Sequence, residues 1–293
     1  MPSSRGSSQS ARRTTDLLLP EAPDRAALVT RLRLAGCVFA EDEANVLLST
    51  ADSPSQLQHM VRQRVSGAPL EQIVGWAEFA GLRIAVEPGV FVPRRRTELL
   101  LRHALRLATP RPVVVELCCG SAALSRAFAS VIEDAELYVT DIDRAAVRCA
   151  QRNLAHLSPP AGVLHGDLYE PLPPALAGRV DLLLANAPYV PTESIALMPP
   201  EARLYEPRIA LDGGQDGLDV HRRIAAGARQ WLAPAGHLLV ETSRSQSAGS
   251  VAAFGAHGLG AEVVSSEELD ATIVIGWPPA GRLRRSQSET VRH

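Results

Sequence analysis

The sequence predicts an α/β fold built on a seven-stranded, doubly wound sheet, with a small helical domain and a hairpin ahead of it. Three observations carry this. From Pro112 onward, apolar runs of strand length alternate with stretches of helical periodicity, the pattern of parallel strands joined by crossover helices. Residues 22–70 show only helical stripes. Between the two, a pair of short β-type runs flanks Ala80-Gly81. A chain of 293 residues has ample core for one large domain and a small one.

Each element has a local reason. Asp24 caps a helix with Leu28, Leu32 and Ala35 on one face, stopped by Gly36. A second helix spans about 41–51. Ser53-Pro54 supplies a cap and a proline at the first helical position, and Leu57, Met60, Val61 and Val65 form the next stripe, closed by Gly67. This module holds no visible chemistry, and two readings stay open: it binds a partner, or it only packs. Ile73 to Phe79 and Leu82 to Val86 form the hairpin. A linker with Pro93-Arg94-Arg95-Arg96-Thr97-Glu98 follows, then a helix turning Leu100, Leu101, Ala104, Leu105 and Ala108 inward. The arginine run is either a solvated helix start or part of a site.

Strands of the main sheet are expected at 113–117, 136–140, 162–165, 180–185, 236–241, 261–264 and 271–276. Helices are expected between them, notably at 143–155 and 217–232. The domain boundaries expected are a tail at 1–21, the helical domain at 22–72, hairpin and linker at 73–96, the main domain at 97–277 and a tail at 278–293. The Ser/Arg-rich opening is read as a disordered tail in preference to a transit peptide.

Composition removes several function classes. All 30 cationic residues are arginine, which excludes a P-loop lysine, a Schiff-base lysine and a lysine general base. The net charge of −2 provides no global field toward nucleic acid or membrane, and no apolar run reaches spanning length. Cys37, Cys118, Cys119 and Cys149 lack metal-binding spacing, so a reduced, cytoplasmic setting without a metal is expected. The chain is read as a monomer.

The chemistry-bearing residues sit where the strands end. Leu182-Leu-Leu-Ala185 runs into Asn186-Ala187-Pro188-Tyr189, and in an open α/β sheet ligands bind beyond the carboxyl ends of the strands. An amide, a backbone carbonyl, a rigid proline and an aromatic ring there suit a flat, amino-bearing group. The bland alternative is an ordinary Asn-x-Pro turn. Glu116-Leu-Cys118-Cys-Gly120-Ser-Ala122 is a strand, a small-residue turn and a helix start, where a ligand can approach the backbone. It lacks two glycines of a dinucleotide fingerprint. Asp141 ends the next strand at the offset where a carboxylate meets a ribose diol. Asp143 reads as a helix N-cap. Asp167, beside Leu168, either accepts from an adenine amino group or caps a turn. His165 and His237 read as structural.

These stretches, with Asp212-Gly-Gly-Gln-Asp-Gly-Leu-Asp219 and Glu241-Thr-Ser-Arg-Ser-Gln246, resemble class I S-adenosylmethionine-dependent methyltransferases. More narrowly, residues from about 25 to 277 resemble the family that methylates the side-chain amide of a glutamine (N5) in peptide-chain release factors. The resemblance implies a Rossmann-like, mostly parallel seven-stranded sheet, S-adenosyl-L-methionine as cofactor, and a release factor as protein substrate. It implies cofactor contacts from Glu116, Cys118, Gly120, Asp141, Ile142, Asp167, Leu168 and Asn186. It also implies that the linker closes the pocket, with Pro93, Arg94, Thr97 and Glu98 as candidates. Asn186, Ala187, Pro188 and Tyr189 would hold the substrate amide. Two departures mark a divergent member: Ala187 replaces a proline, and Cys118 and Ala122 replace glycines of the cofactor turn. Two other functions compete. One is an adenine amino-methyltransferase acting on nucleic acid, which would call for a basic face that residues 22–70 lack. The other is a degenerate methyltransferase fold serving as a binding module.

Overall fold

The computed structural model describes residues 24–279, so the tail expected at 1–21 and all but the first two residues of the tail expected at 278–293 lie outside the described residues. The chain divides into two compact units, one ending at Ser66 and the other starting at Gly67.

In the first unit, helices α1 (Arg25–Leu34), α2 (Ala40–Thr50) and α3 (Pro54–Val65) pack by their apolar stripes. The caps are those the sequence predicts. The Asp24 carboxylate accepts from the Ala26 N–H, and the Ser53 hydroxyl accepts from the Gln56 N–H. Leu28, Leu32, Leu47, Leu57, Met60 and Val61 are buried. Ala35 and Val65, at the ends of their stripes, are exposed instead. Glu43 is buried and meets the Arg64 guanidinium through both carboxylate oxygens, at 2.6 and 2.9 Å. That fork-on-fork pairing satisfies a charge the helix face would otherwise strand.

The second unit opens with a short helix whose last two residues, Ile73 and Val74, the sequence reading assigned to a strand. Leu70–Val74 forms α4, ended by Gly75 in the left-handed conformation. Strand β1 therefore begins at Trp76 (Trp76–Phe79), pairing antiparallel with β2 (Leu82–Ala85). The correction has a local cause: Pro69 starts a turn, and Gly75 closes it with an N–H bond to the Glu71 carbonyl. After a single 3-10 turn at Arg95–Thr97 comes α5 (Glu98–Leu107), with Leu99, Leu100, Leu101 and Ala104 buried.

The main sheet follows: β3 (Val113–Leu117), α6 (Ala123–Ala129), β4 (Glu136–Asp141), α7 (Arg144–Leu154), β5 (Gly162–His165) and β6 (Val180–Ala185). Then come α8 (Pro200–Tyr205), α9 (Asp219–Trp231), β7 (Leu232–Thr242), α10 (Ser247–Ala256), β8 (Gly260–Ser266) and β9 (Ala271–Trp277). The spatial order is β5-β4-β3-β6-β7-β9-β8. The first five strands in that order run parallel, and β9 is antiparallel to both β7 and β8. Strand β7 starts at Leu232, earlier than the expected 236, because Leu232 pairs once with Val180 before the register shifts; the regular ladder resumes at His237.

Both faces of the sheet are covered, which explains why β3 and β6 read as continuous apolar runs. On one face Val114, Leu182, Leu184 and Ile273 pack with α5, α6 and the hairpin residues Phe79 and Ile84. On the other, Val115, Leu183, Val240 and Val274 pack with Ile224, Ala228 and Trp231 of α9 and Phe254 of α10. Among the described residues no helix is long and apolar enough to cross a membrane.

Strand β6 carries the centre of this core, and Leu184 is fully buried. Leu184→Ala is expected to destabilise the main unit by about 2–5 kcal/mol through lost burial and an unfilled cavity. Thermal denaturation measures it, and an unchanged Tm would contradict the packing described.

Candidate active site

Register places the site. In the β3–β6 ladder Leu117 stands opposite Ala185, so the turn beginning at Cys118 and the turn beginning at Asn186 leave the sheet at the same level. Strand β4 ends beside them at Asp141. A cavity of about 950 Å³ opens over these strand ends, at the upper end of the range for small-molecule sites. Of the sequence-predicted site residues, Arg94, Thr97, Glu116, Cys118, Gly120, Asp141, Ile142, Asp167, Leu168, Asn186, Ala187, Pro188 and Tyr189 line it. Pro93 lines it too, whereas Glu98 does not and lies at the start of α5, within reach of Arg102 at 3.9 Å.

The turn after β3 keeps a glycine-like backbone without the glycines. Cys118, Gly120 and Ala122 all have positive φ, at 53°, 54° and 56°. For Cys118 and Ala122 the left-handed conformation costs roughly 1–2 kcal/mol each. At Gly120 a side chain would project into open space, so this turn offers bare backbone to the cavity. Glu116 holds the turn from below. It is buried, and its Oε2 accepts from the Ser125 N–H at 2.9 Å and from the Ser125 hydroxyl. Burial drives its pKa up to about 7, against the pull of the Ser125 bonds.

Asp141 is tied on both oxygens, accepting from the Gly120 N–H at 2.9 Å and the Asp143 N–H at 2.8 Å. Burial raises its pKa and these backbone bonds oppose the rise. Asp143 caps α7 through the Ala145 N–H, as its position predicts. Ile142, half exposed, lies on the cavity wall, and Leu168 is buried below it with positive φ. Asp167 has a partner the sequence reading did not foresee, the Arg223 guanidinium of α9 at 2.7 Å. His165 meets the Ile142 carbonyl through Nε2. His237 is buried in β7.

The Asn-Ala-Pro-Tyr turn is gripped from several sides. Asn186 donates from Nδ2 to the Thr97 hydroxyl at 3.1 Å. Ala187 is buried within the sheet core. The Tyr189 hydroxyl donates to Glu241 Oε1 at 3.3 Å, and its ring leans on His221 with centroids 6.4 Å apart. Burial and Glu241 push the Tyr189 pKa up to about 12. The Tyr189 carbonyl accepts from Gln246 Nε2 at 2.8 Å. Val190 exchanges bonds with Leu211 and Gly213, so the 212–219 segment lies against the turn's own backbone. A side chain at Gly213 would stand 2.8 Å from the Pro188 carbonyl oxygen, and one at Gly217 would overlap the Tyr189 carbonyl. These glycines are required by close approach.

The arginine run splits. Arg94 and Arg96 line the cavity, and Arg95 points to Glu268 at 3.9 Å. Arg94 pairs with buried Glu206, which also accepts from the Val92 N–H at 3.3 Å. Burial raises the Glu206 pKa and Arg94 pulls it back. Arg96 Nε faces Glu241 at 3.4 Å. Glu206, Arg223 and His221 were not singled out from the sequence, and Gln246 was quoted only as the end of a matching stretch, with no role. Their signal is spatial, since each joins segments far apart in the chain. Among the described residues no His, Cys, Asp and Glu cluster is arranged to hold a metal ion.

Known proteins resemble this chain in sequence and in fold. Residues 81–198 match the family described as Methyltransferase small domain. A release factor glutamine methyltransferase of Mycolicibacterium smegmatis is 39% identical over 241 residues, covering 80% of this chain and 84% of that protein. The chain belongs to the release factor glutamine methyltransferase family. A protein of the same description from Geobacter sulfurreducens is 38% identical, the match spanning 64% of this chain and 65% of the relative. A 4-amino-L-phenylalanine/4-methylamino-L-phenylalanine methyltransferase of Streptomyces pristinaespiralis is 35% identical, across 80% of this chain and 82% of its own length. Among solved structures, a methyltransferase of Pyrococcus furiosus shares the fold with a TM-score of 0.51 at 15% identity, over 78% of this chain and all of that one.

Glu116 generates a testable consequence. Its folded pKa of about 7 exceeds the ordinary 4.5, so the folded state holds a proton the unfolded state has released. Stability is therefore present below pH 4.5 and lost as pH rises toward 7, by of order 3 kcal/mol at 1.36 kcal/mol per unit. Glu116→Gln should remove this part of the slope and be the more stable protein above pH 7. Denaturant titrations at several pH values measure it, and identical slopes would refute the assignment.

Proposed function

We propose that this chain transfers a methyl group from S-adenosylmethionine to the side-chain amide nitrogen of a glutamine in a peptide-chain release factor. The observation that carries the reading is the meeting, in one cavity, of the bare Gly120 turn, the Asp141 carboxylate and the Asn186 amide.

The residues suit the cofactor. Gly120 leaves backbone room that a side chain would fill. Asp141 keeps acceptor capacity beyond its two backbone bonds, which suits a vicinal diol. Ile142 and Leu168 supply apolar surface for a flat base, with Asp167 as acceptor for its amino group. Arg94 and Thr97 close the pocket from the linker. Bound there, S-adenosylmethionine supplies a strongly electrophilic methyl group, so the protein's task is alignment and electronic adjustment.

An amide nitrogen is a poor nucleophile because its lone pair is delocalised into the carbonyl. Asn186 Oδ1 and the Ala187 carbonyl accept from the substrate NH₂, fixing the direction of its lone pair and stabilising positive charge as it builds on nitrogen. Pro188 keeps Ala187 extended so that its carbonyl projects. Tyr189 packs on the flat amide. An Ala in place of Pro at 187 preserves this, because the acceptor is main chain. We further propose that the three-helix unit recognises the protein substrate.

A second reading draws on the Streptomyces relative, whose stated substrates carry an aromatic amine. That nitrogen is also planar and conjugated, and the same acceptors would hold it. Mass spectrometry separates the two, using a release factor in one reaction and 4-amino-L-phenylalanine in the other. Methylation of the glutamine alone supports the first reading, and of the free amine alone the second.

Two variants divide binding from chemistry. Asp141→Ala should weaken S-adenosylmethionine binding by about 1.5–3 kcal/mol, the scale of hydrogen bonds to a charged group. Unchanged affinity in calorimetry would remove Asp141 from the cofactor site. Asn186→Ala should leave that affinity nearly intact and lower kcat by roughly a hundredfold to a thousandfold. Near-normal turnover on a verified substrate would mean that methyl transfer does not run through this turn.

A further inference from the structure

Asn153, half-buried near the end of α7, joins the hairpin to the turn after β3. Its Oδ1 accepts from the Ala85 N–H at 2.8 Å. Its Nδ2 donates to the Ala85 carbonyl at 2.9 Å and to the Ser121 carbonyl at 2.8 Å. The oxygen and both amide hydrogens are engaged. The orientation is forced, because a main-chain N–H only donates: Ala85 claims Oδ1, and Nδ2 must face the two carbonyls. One helical turn earlier the Cys149 thiol also donates to the Ala85 carbonyl, at 3.2 Å.

The two partners bear on the cofactor cavity from different segments. Ala85 ends β2, and the chain continues from it to Val90, Phe91 and the linker, which line the cavity. The Val86 N–H bonds to the Gly75 carbonyl on the β1 side at 3.0 Å. Ala85, alternating with Val86, therefore presents its own N–H and carbonyl away from β1. Asn153 meets that open edge as a strand partner one residue long. Its remaining hydrogen goes to buried Ser121, between Gly120 and Ala122.

The turn has need of such a hold. Cys118 and Ala122 both stand in the left-handed conformation that a side chain disfavours. Residues in such conformations persist where their surroundings over-determine them. Cys119 N–H bonds to the Thr140 carbonyl at 3.1 Å, Ala122 N–H to the Cys119 carbonyl at 2.7 Å, and Gly120 N–H to Asp141. Asn153 secures the Ser121 carbonyl, which those bonds leave out.

We propose that Asn153 is a positioning residue for cofactor binding: by bonding Ser121 and Ala85 at once, it holds the Gly120 turn in its left-handed shape and seats it against the hairpin. This rests on the reading that S-adenosylmethionine lies over Gly120. Asn153 does not line the cavity, so it acts through the turn.

The test uses the full-length protein. Asn153→Ala should raise the calorimetric Kd for S-adenosylmethionine about tenfold, the scale of a buried hydrogen bond. With cofactor saturating, kcat on an established substrate should stay within about threefold of native. Ala122→Gly is the discriminating variant, because glycine takes the left-handed conformation without the side-chain penalty and supplies part of what Asn153 imposes. Alone, it should change Kd by less than about threefold; in the Asn153→Ala background it should recover about threefold or more, since both act on one turn. Hydrogen exchange should quicken at the Gly120 and Ala122 amides of Asn153→Ala and not at Val115 in β3. If Asn153→Ala does not fold, Asn153→Asp carries the same measurements, because it keeps the acceptor for the Ala85 N–H and loses both donors.

A Kd within about twofold of native, a fall in kcat at unchanged Kd, or an equal effect of Ala122→Gly in both backgrounds would each overturn the inference. The last result would make Asn153 a packing residue only. Asp141→Ala keeps the two questions apart. If it leaves cofactor affinity unchanged, the placement of the cofactor fails; if it loses affinity while Asn153→Ala does not, only the role of Asn153 fails.

Discussion

The parallel pairing of β3 with β6 is the constraint on which the site depends. These strands are neighbours in space although their matched ends, Leu117 and Ala185, stand 68 positions apart in the chain. Strand order reverses between them, with β4 and β5 to one side and β7, β9 and β8 to the other. Crossover connections leave in opposite directions from such a point, so a crevice must open there. The side chains of β3 and β6 are buried on both faces, and a slip in their register would carry apolar residues across the sheet. The same burial that stabilises the unit therefore levels the Cys118 turn with Asn186.

Around that crevice stand buried carboxylates whose pKa values are raised by burial: Glu116, Glu206 and Glu241. Each is expensive to hold, and each is anchored by side chains or amides from another segment. Glu116 ties β3 to α6, Glu206 ties the segment after α8 to the linker, and Glu241 ties β7 to the linker and to Tyr189. Such polar contacts add less to stability than equivalent apolar packing would. They add direction, because an acceptor-only group dictates where neighbouring hydrogens point. A site that must hold a weak nucleophile in one orientation benefits from direction more than from strength.

The departures from the family pattern acquire a physical meaning. Cys118 and Ala122 adopt left-handed backbone conformations that glycine would adopt without strain, so the turn's shape is imposed by what surrounds it. Ala187 buries a methyl group where the family has a proline ring, and Pro188 after it still keeps the backbone extended. Relatives of this chain carry names pointing to a glutamine amide and to an aromatic amine. Both nitrogens are flat and conjugated, the property on which the proposed role of the Asn-Ala-Pro-Tyr turn rests.

The sequence by itself determined the strand and helix order of the main domain, because period and capping are local properties. Apolar runs of strand length at Val113–Leu117 and Val180–Ala185, the Asp24 and Ser53 caps, and the Asp143 cap of α7 all act over a few residues. It also identified the cavity-lining residues on the strand ends, since strands that end in Asp141 or Asn186 place those residues wherever the sheet forms. It failed at Ile73 and Val74, expected in a strand, which the turn between Pro69 and Gly75 holds in α4. Only the tertiary structure decided the partners: Thr97 against Asn186, Arg223 against Asp167, Arg94 against Glu206, and Gln246 against the Tyr189 carbonyl. These pairs join positions 56 to 112 residues apart, and no periodicity links them. Their meeting is set by the order in which the strands assemble, because long-range contact follows from the burial of the whole sheet and not from any local segment.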